Sequence, residues 1–99
     1  MKIDFTEIEW SDSAVGLRVK TFVKDGKQVR LAEFSREFRE TDWCEKNHVG
    51  YVVAGKIEID FAGKTKVFKQ GDGLFIGSNE KPKARATSET ALLFLVEDV

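Results

Sequence analysis

A sequence of 99 residues with only one cysteine, one proline and one histidine, and a net charge of just −1, leaves little of several chemistries. A lone cysteine, Cys44, excludes an internal disulfide. Near-neutral charge with the signs interspersed argues against a nucleic-acid partner, which needs a concentrated basic stripe. The only basic cluster is Lys81-Pro82-Lys83-Ala84-Arg85, and it reads as a solvated loop and strand edge. No run approaches the ~20 apolar residues that cross a membrane, so no membrane partner is expected. The first residues, Met1-Lys2-Ile3-Asp4-Phe5-Thr6-Glu7, lack an apolar core segment and carry acids early, unlike a signal peptide. Together these features favour the cytoplasm.

What is present suits one globular domain over residues 1–99. Apolar residues make up 41%, enough for a core, and charged residues 33%, enough for a solvated surface. Pro and Gly are too few for a collagen-like or low-complexity stretch. The hydropathy pattern has period two along most of the chain, the mark of half-buried strands. Val15, Leu17, Val19, Thr21 and Val23 form one face of the first clear strand. Asp25-Gly26 follows as a hairpin turn. Residues 28–38 read as the return strand, with Arg30, Ala32, Phe34 and Phe38 in phase. Further strands are expected at 49–54, 56–61, 65–69, 74–76, 83–87 and 91–96, with turns at Gly55, Ala62-Gly63-Lys64 and Gln70-Gly71-Asp72-Gly73. Residues 35–42 read as strand end and loop. Strands at this spacing predict an all-β sandwich or barrel.

Two strands break the alternation. Residues 49–54 and 91–96 are uncharged at every position. A strand with water on one face should alternate, so both faces of these strands need cover. The first twelve residues, with Phe5, Ile8 and Trp10, suffice for one such strand but not for both. Left bare, Tyr51, Val53, Leu93 and Leu95 make a large apolar patch. A homodimer is therefore expected.

The segment from His48 to Ile59 resembles the end of the first cupin motif, G-x5-H-x-H-x(3,4)-E-x6-G, with Gly55 as its last glycine. Gly71-Asp72-Gly73-Leu74-Phe75-Ile76 resembles the opening of the second, G-x5-P-x-G-x2-H-x3-N. The short gap between them is similar to that of small single-domain cupins. The resemblance implies a double-stranded β-helix, or jelly-roll, barrel of the cupin type. It also shows what has been replaced. The glutamate position of the metal site holds His48, and the two histidine positions hold Asp42 and Cys44. The second-motif histidine position holds Pro82, which has no side-chain donor. Arg36, Gly77, Asn79 and Ala86 stand at the remaining motif positions.

The residual set Asp42, Cys44 and His48 offers carboxylate, thiolate and imidazole, all ligands for a divalent metal such as zinc. Their even spacing keeps them on one face of a regular strand. The alternative is structural: His48 a satisfied pocket histidine, Cys44 a small buried hydrophobe and Asp42 a cap. A Cys44–His48 dyad is a third arrangement. Cys44, His48, Gly50 and Val52 are the candidate lining of a ligand pocket. The leading expectation is a cupin-like domain that binds a small molecule of unassigned identity, with an atypical metal site or none. The alternatives are a metal-dependent isomerase or dioxygenase using Asp42, Cys44 and His48, and a structural or regulatory homodimer without ligand. The sequence leaves open whether the chain is an enzyme.

Overall fold

The computed structural model describes residues 1–38, 48–61, 63–77 and 82–98. Nine strands are formed there: β1 (Ser11–Ala14), β2 (Leu17–Lys24), β3 (Lys27–Ser35), β4 (His48–Ala54), β5 (Lys56–Phe61), β6 (Lys64–Lys69), β7 (Gly73–Ile76), β8 (Pro82–Ala86) and β9 (Thr90–Asp98). All pairings are antiparallel. They build a six-stranded sheet in the order β1-β2-β3-β9-β4-β7 and a three-stranded sheet in the order β6-β5-β8. Among the described residues the only helix is one 3-10 turn, Phe5–Glu7, and no helix is long and apolar enough to cross a membrane.

Local chemistry fixes the turns. Asp25 and Gly26 both take positive φ, 51° and 76°, as a two-residue hairpin requires, and Lys24 then pairs with Lys27. Gly55 has φ 79°, and a Cβ there would lie 2.2 Å from the Thr90 carbonyl oxygen. Only glycine allows β4 to turn into β5 against that backbone. The Gln70–Asp72 turn docks on the same corner. Gln70 N donates to the Gly55 carbonyl, Gly71 N to that of Val52, and Val52 N to that of Asp72. The Asp72 carboxylate closes the turn by accepting from Lys69 N at 2.9 Å.

Alternation places the core between the two sheets. Val19, Ala32, Phe34, Val52, Leu74, Ile76, Ala91, Leu93 and Leu95 face inward from the large sheet, and Ile57, Ile59, Ala84 and Ala86 meet them from the small one. β9 shows the pattern most cleanly: Ala91, Leu93, Leu95 and Glu97 are buried while the residues between them are half-buried.

The chain departs from the periodicity reading near both ends of the first hairpin. Val15 does not join the inward face of β2. It sits in the β1–β2 turn and is 76% exposed, because β1, whose residues are all exposed, folds back there. β3 stops at Ser35 rather than running on to Phe38. The Ser35 hydroxyl accepts from Glu37 N at 3.3 Å and its carbonyl accepts from Phe38 N at 3.1 Å. This local turn competes with the ladder. Phe38 is buried all the same, edge-on to Phe34 with ring centroids 5.0 Å apart.

Candidate functional site: a buried charge cluster at one end of the sheet

The inward columns of three neighbouring strands end in polar residues at the same end of the large sheet. On β3 the column Phe34, Ala32 continues to Arg30 and Gln28. On β9 it continues from Leu95 to Glu97, and β4 begins with His48. The register sets Gln28 opposite Glu97, Glu97 opposite His48, and His48 opposite Ile76, with Arg30 one inward step along β3. On β2 the inward residues lose their cover in the same direction: Val19 is buried, and Thr21 and Val23 are exposed. Cover on β2 therefore thins toward the Asp25–Gly26 hairpin, while His48 and Glu97 stay buried.

Glu97 is the hub. Its Oε2 lies 2.8 Å from Nδ1 of His48, and both side chains are 4% exposed. Its Oε1 lies 2.5 Å from Nε of Arg30 and accepts from the Gln28 amide at 3.0 Å. The His48 and Arg30 contacts are short but oblique, outside hydrogen-bond angles. Arg30 acts as a charge contact, the His48 ring lies against the other oxygen, and the Gln28 amide gives the directed bond. Burial alone would raise the Glu97 carboxyl pKa. The His48 ring, the Gln28 amide and the Arg30 guanidinium outweigh it and hold the carboxyl at about 2, down from 4.5. Glu97 is thus an anion that can only accept, so the Nδ1 facing it is the protonated nitrogen of the ring.

The expected pocket lining is distributed differently. His48 is in the cluster. Val52 is fully buried in the core. Gly50 lies beneath its neighbours: a Cβ there would meet Leu95 Cδ2 at 2.6 Å and the Phe94 carbonyl oxygen at 2.9 Å, so this glycine lets β4 and β9 approach. Asp42 and Cys44 lie outside the described residues. Gln28, Arg30 and Glu97 were not singled out as site residues by the motif reading, although Arg30 was already in phase with Ala32 and Phe34. Two shallow depressions, of about 420 and 170 Å³, line the Asp12–Gly16 turn and the start of β2, away from the cluster.

Two of the three candidate metal ligands, Asp42 and Cys44, fall outside the described residues. Among the described residues no group of three or more His, Cys, Asp or Glu side chains is placed to hold a metal. His48 has suitable chemistry, but both Glu97 oxygens are engaged by His48, Arg30 and Gln28.

No family model matches the chain, and no curated protein matches it in sequence. Solved structures do match. The structure of KdgF from Halomonas sp. aligns with TM-score 0.79 at 20% identity, over 95% of this chain and 89% of that one. An RmlC-like cupin from Shewanella frigidimarina NCIMB 400 aligns with TM-score 0.77 at 18% identity, over 94% and 85%. The cupin domain of Schizosaccharomyces pombe Cnp3 aligns with TM-score 0.81 at 10% identity, over 99% and 73%. The fold is that of a small cupin domain. The two sheets are those of an all-β jelly roll, as the motif resemblance implied. In this cupin fold the charge cluster lies at one end of the interior, where inward side chains from β3, β4 and β9 converge.

Proposed function

We propose that this cupin domain binds a small polar molecule at the end of the interior marked by Gln28, Arg30, His48 and Glu97. The supporting observation is the burial of an ionised carboxylate between an arginine and a histidine, where a leucine would complete the core. Ion pairs buried in this way are seldom stabilising relative to apolar packing. A buried, perturbed carboxylate gathered with other polar side chains at one end of a barrel interior is a common feature of binding sites. The groups also suit a ligand with both acceptors and donors. The Arg30 Nε is occupied by Glu97, and among the described residues its terminal nitrogens have no hydrogen-bond partner. They can take a carboxylate or hydroxyl oxygen of a ligand.

Calorimetric titration with a panel of small carboxylic acids and polyols tests this reading. Saturable binding that is lost in Arg30→Met and kept in Arg18→Met, a surface arginine paired with Glu33 at 2.8 Å, is the expected result. Binding that is indifferent to Arg30 would place the ligand elsewhere.

A further inference from the structure

Among the described residues the two sheets end in four edges, β1, β7, β6 and β8, and one of them is shaped to take another strand. β1 and β7 have four residues each, and a bulge between Asp12 and Ala14 breaks the ladder of β1. β8 begins with Pro82, which has no N–H to offer. β6 is six residues long, regular in register and free of proline and glycine. Period two divides its backbone groups between two sides. Gln70 N donates to the Gly55 carbonyl, so Phe68, Lys66 and Lys64, in step with Gln70, bond to β5. Lys69, Val67 and Thr65 point the other way. Lys69 is already satisfied there by Asp72, whose carboxylate accepts from its N–H and whose N–H donates to its carbonyl, both at 2.9 Å. The N–H and C=O groups of Thr65 and Val67 have no partner among the described residues.

The side chains around that edge are basic. Lys64 and Lys66 project on one face of the sheet and Lys69 on the other, all exposed. Lys69 stands opposite Lys56, a like-charge pair. β5, β6 and β8 together hold six basic and two acidic residues, in a chain of net charge −1. Val67, among these lysines, is 58% exposed. We propose that the free edge of β6 takes up an acidic, extended segment of another protein as an antiparallel fourth strand. Two features select that occupant. The unpartnered groups are paired donors and acceptors repeating at strand spacing, which a peptide backbone matches and a nucleic acid or a sugar does not. The lysines keep out a second β6, because lysine would then face lysine, and they favour carboxylates. The register also dictates the order of residues. Read from the N-terminus of the incoming strand, an apolar residue faces Val67, an acid faces Lys66, the next residue faces Thr65 and a second acid faces Lys64. This association does not depend on the ligand reading above.

Fluorescein-labelled peptides with Val-Glu-Thr-Glu or Val-Lys-Thr-Lys at their centre test it on the unmodified chain by anisotropy. The acidic peptide should bind saturably and the basic one should not. Raising salt from about 0.02 to about 0.2 M should weaken the binding several-fold. N-methylation separates strand addition from diffuse charge attraction. A methyl on the amide nitrogen of the peptide valine, which faces Val67, removes a bonding N–H and should weaken binding about tenfold or more. A methyl on the first glutamate, whose N–H points away from β6, should have little effect. The Thr65 and Val67 amides should exchange hydrogen more slowly with the acidic peptide bound, and the Lys66 amide should not change. Lys64→Glu with Lys66→Glu should lose the acidic peptide and gain the basic one, while Lys83→Glu on β8 keeps the acidic one; the peptide arms hold even if the double variant fails to fold. Binding that ignores the position of the methyl group, or equally tight binding of the basic peptide or of a single-stranded deoxythymidine oligomer, reduces the surface to a general basic patch and overturns the proposal. So does a failure to saturate with millimolar acidic peptide at low salt.

Discussion

The Glu97 carboxylate stands 2.8 Å from the His48 ring, across the ladder that joins β9 to β4. Arg30 closes on its other oxygen from β3. Three strands of one sheet are thus joined by a carboxylate that has little water to fall back on.

Removing that charge should be costly, and removing the whole arrangement should not. Glu97→Gln leaves Arg30 without its counter-charge and is expected to destabilise the chain by about 3 kcal/mol. The double replacement Arg30→Met with Glu97→Leu should recover at least half of the loss, because an apolar pair avoids the desolvation that the ions suffer. Urea midpoints at pH 7 and one protein concentration measure both. A double variant less stable than Glu97→Gln would show that the ions are strongly net stabilising.

The same carboxylate predicts an acid limb. Its pKa is 4.5 when unperturbed and about 2 in the fold. As pH falls the unfolded chain takes up this proton first, so the contribution is complete above pH 4.5 and disappears toward pH 2. The shift corresponds to at most about 3 kcal/mol. Unfolding free energy should fall across that window in the native chain and fall less steeply in Glu97→Gln. Parallel curves for the two proteins would remove Glu97 as the source.

Two glycines separate backbone strain from collision. Gly55→Ala places a Cβ at positive φ and into the Thr90 carbonyl, and a loss above ~2 kcal/mol is expected. Gly63 also has positive φ, but a Cβ there meets nothing within 4 Å. Gly63→Ala should cost only the conformational part, about 1–2 kcal/mol. Equal shifts in the urea midpoint would contradict the close approach of β4 and β9 to the Gly55 corner.

The donor chemistry also makes a statement about metals. Pro82 brings no donor to the second-motif histidine position, and Glu97 is engaged on both oxygens. Chain purified without a histidine tag and dialysed against chelator is expected to hold no stoichiometric iron or manganese, with zinc at most. Near-stoichiometric iron by elemental analysis would overturn this.

Much of this architecture is legible in the residues. Period-two alternation locates the strands because each has one face on the core, and the Asp25–Gly26 dipeptide locates its hairpin through the positive φ values it tolerates. β1 is illegible for the same reason: Ser-Asp-Ser-Ala is exposed throughout and offers no alternation to read. The cluster was half visible. Arg30 falls in phase with Ala32 and Phe34, a charge on a core face, and Glu97 continues Leu93 and Leu95 by two. Ending the last strand at residue 96 hid Glu97. No spacing along one strand reveals that Gln28, Glu97 and His48 align across three, since that depends on register between segments far apart in sequence.

β9 lies between β3 and β4, and its position has a consequence for synthesis. A ribosome delivers β1 to β3, and then β4 to β7, before the strand that joins them. Until Thr90–Asp98 is made, both inner edges of the future sheet present unpaired backbone groups to other chains. Completion of the sheet therefore waits for β9, and until then the earlier strands carry exposed edges. A ribosome stalled before residue 90 would hold two half-sheets and no charge cluster at all.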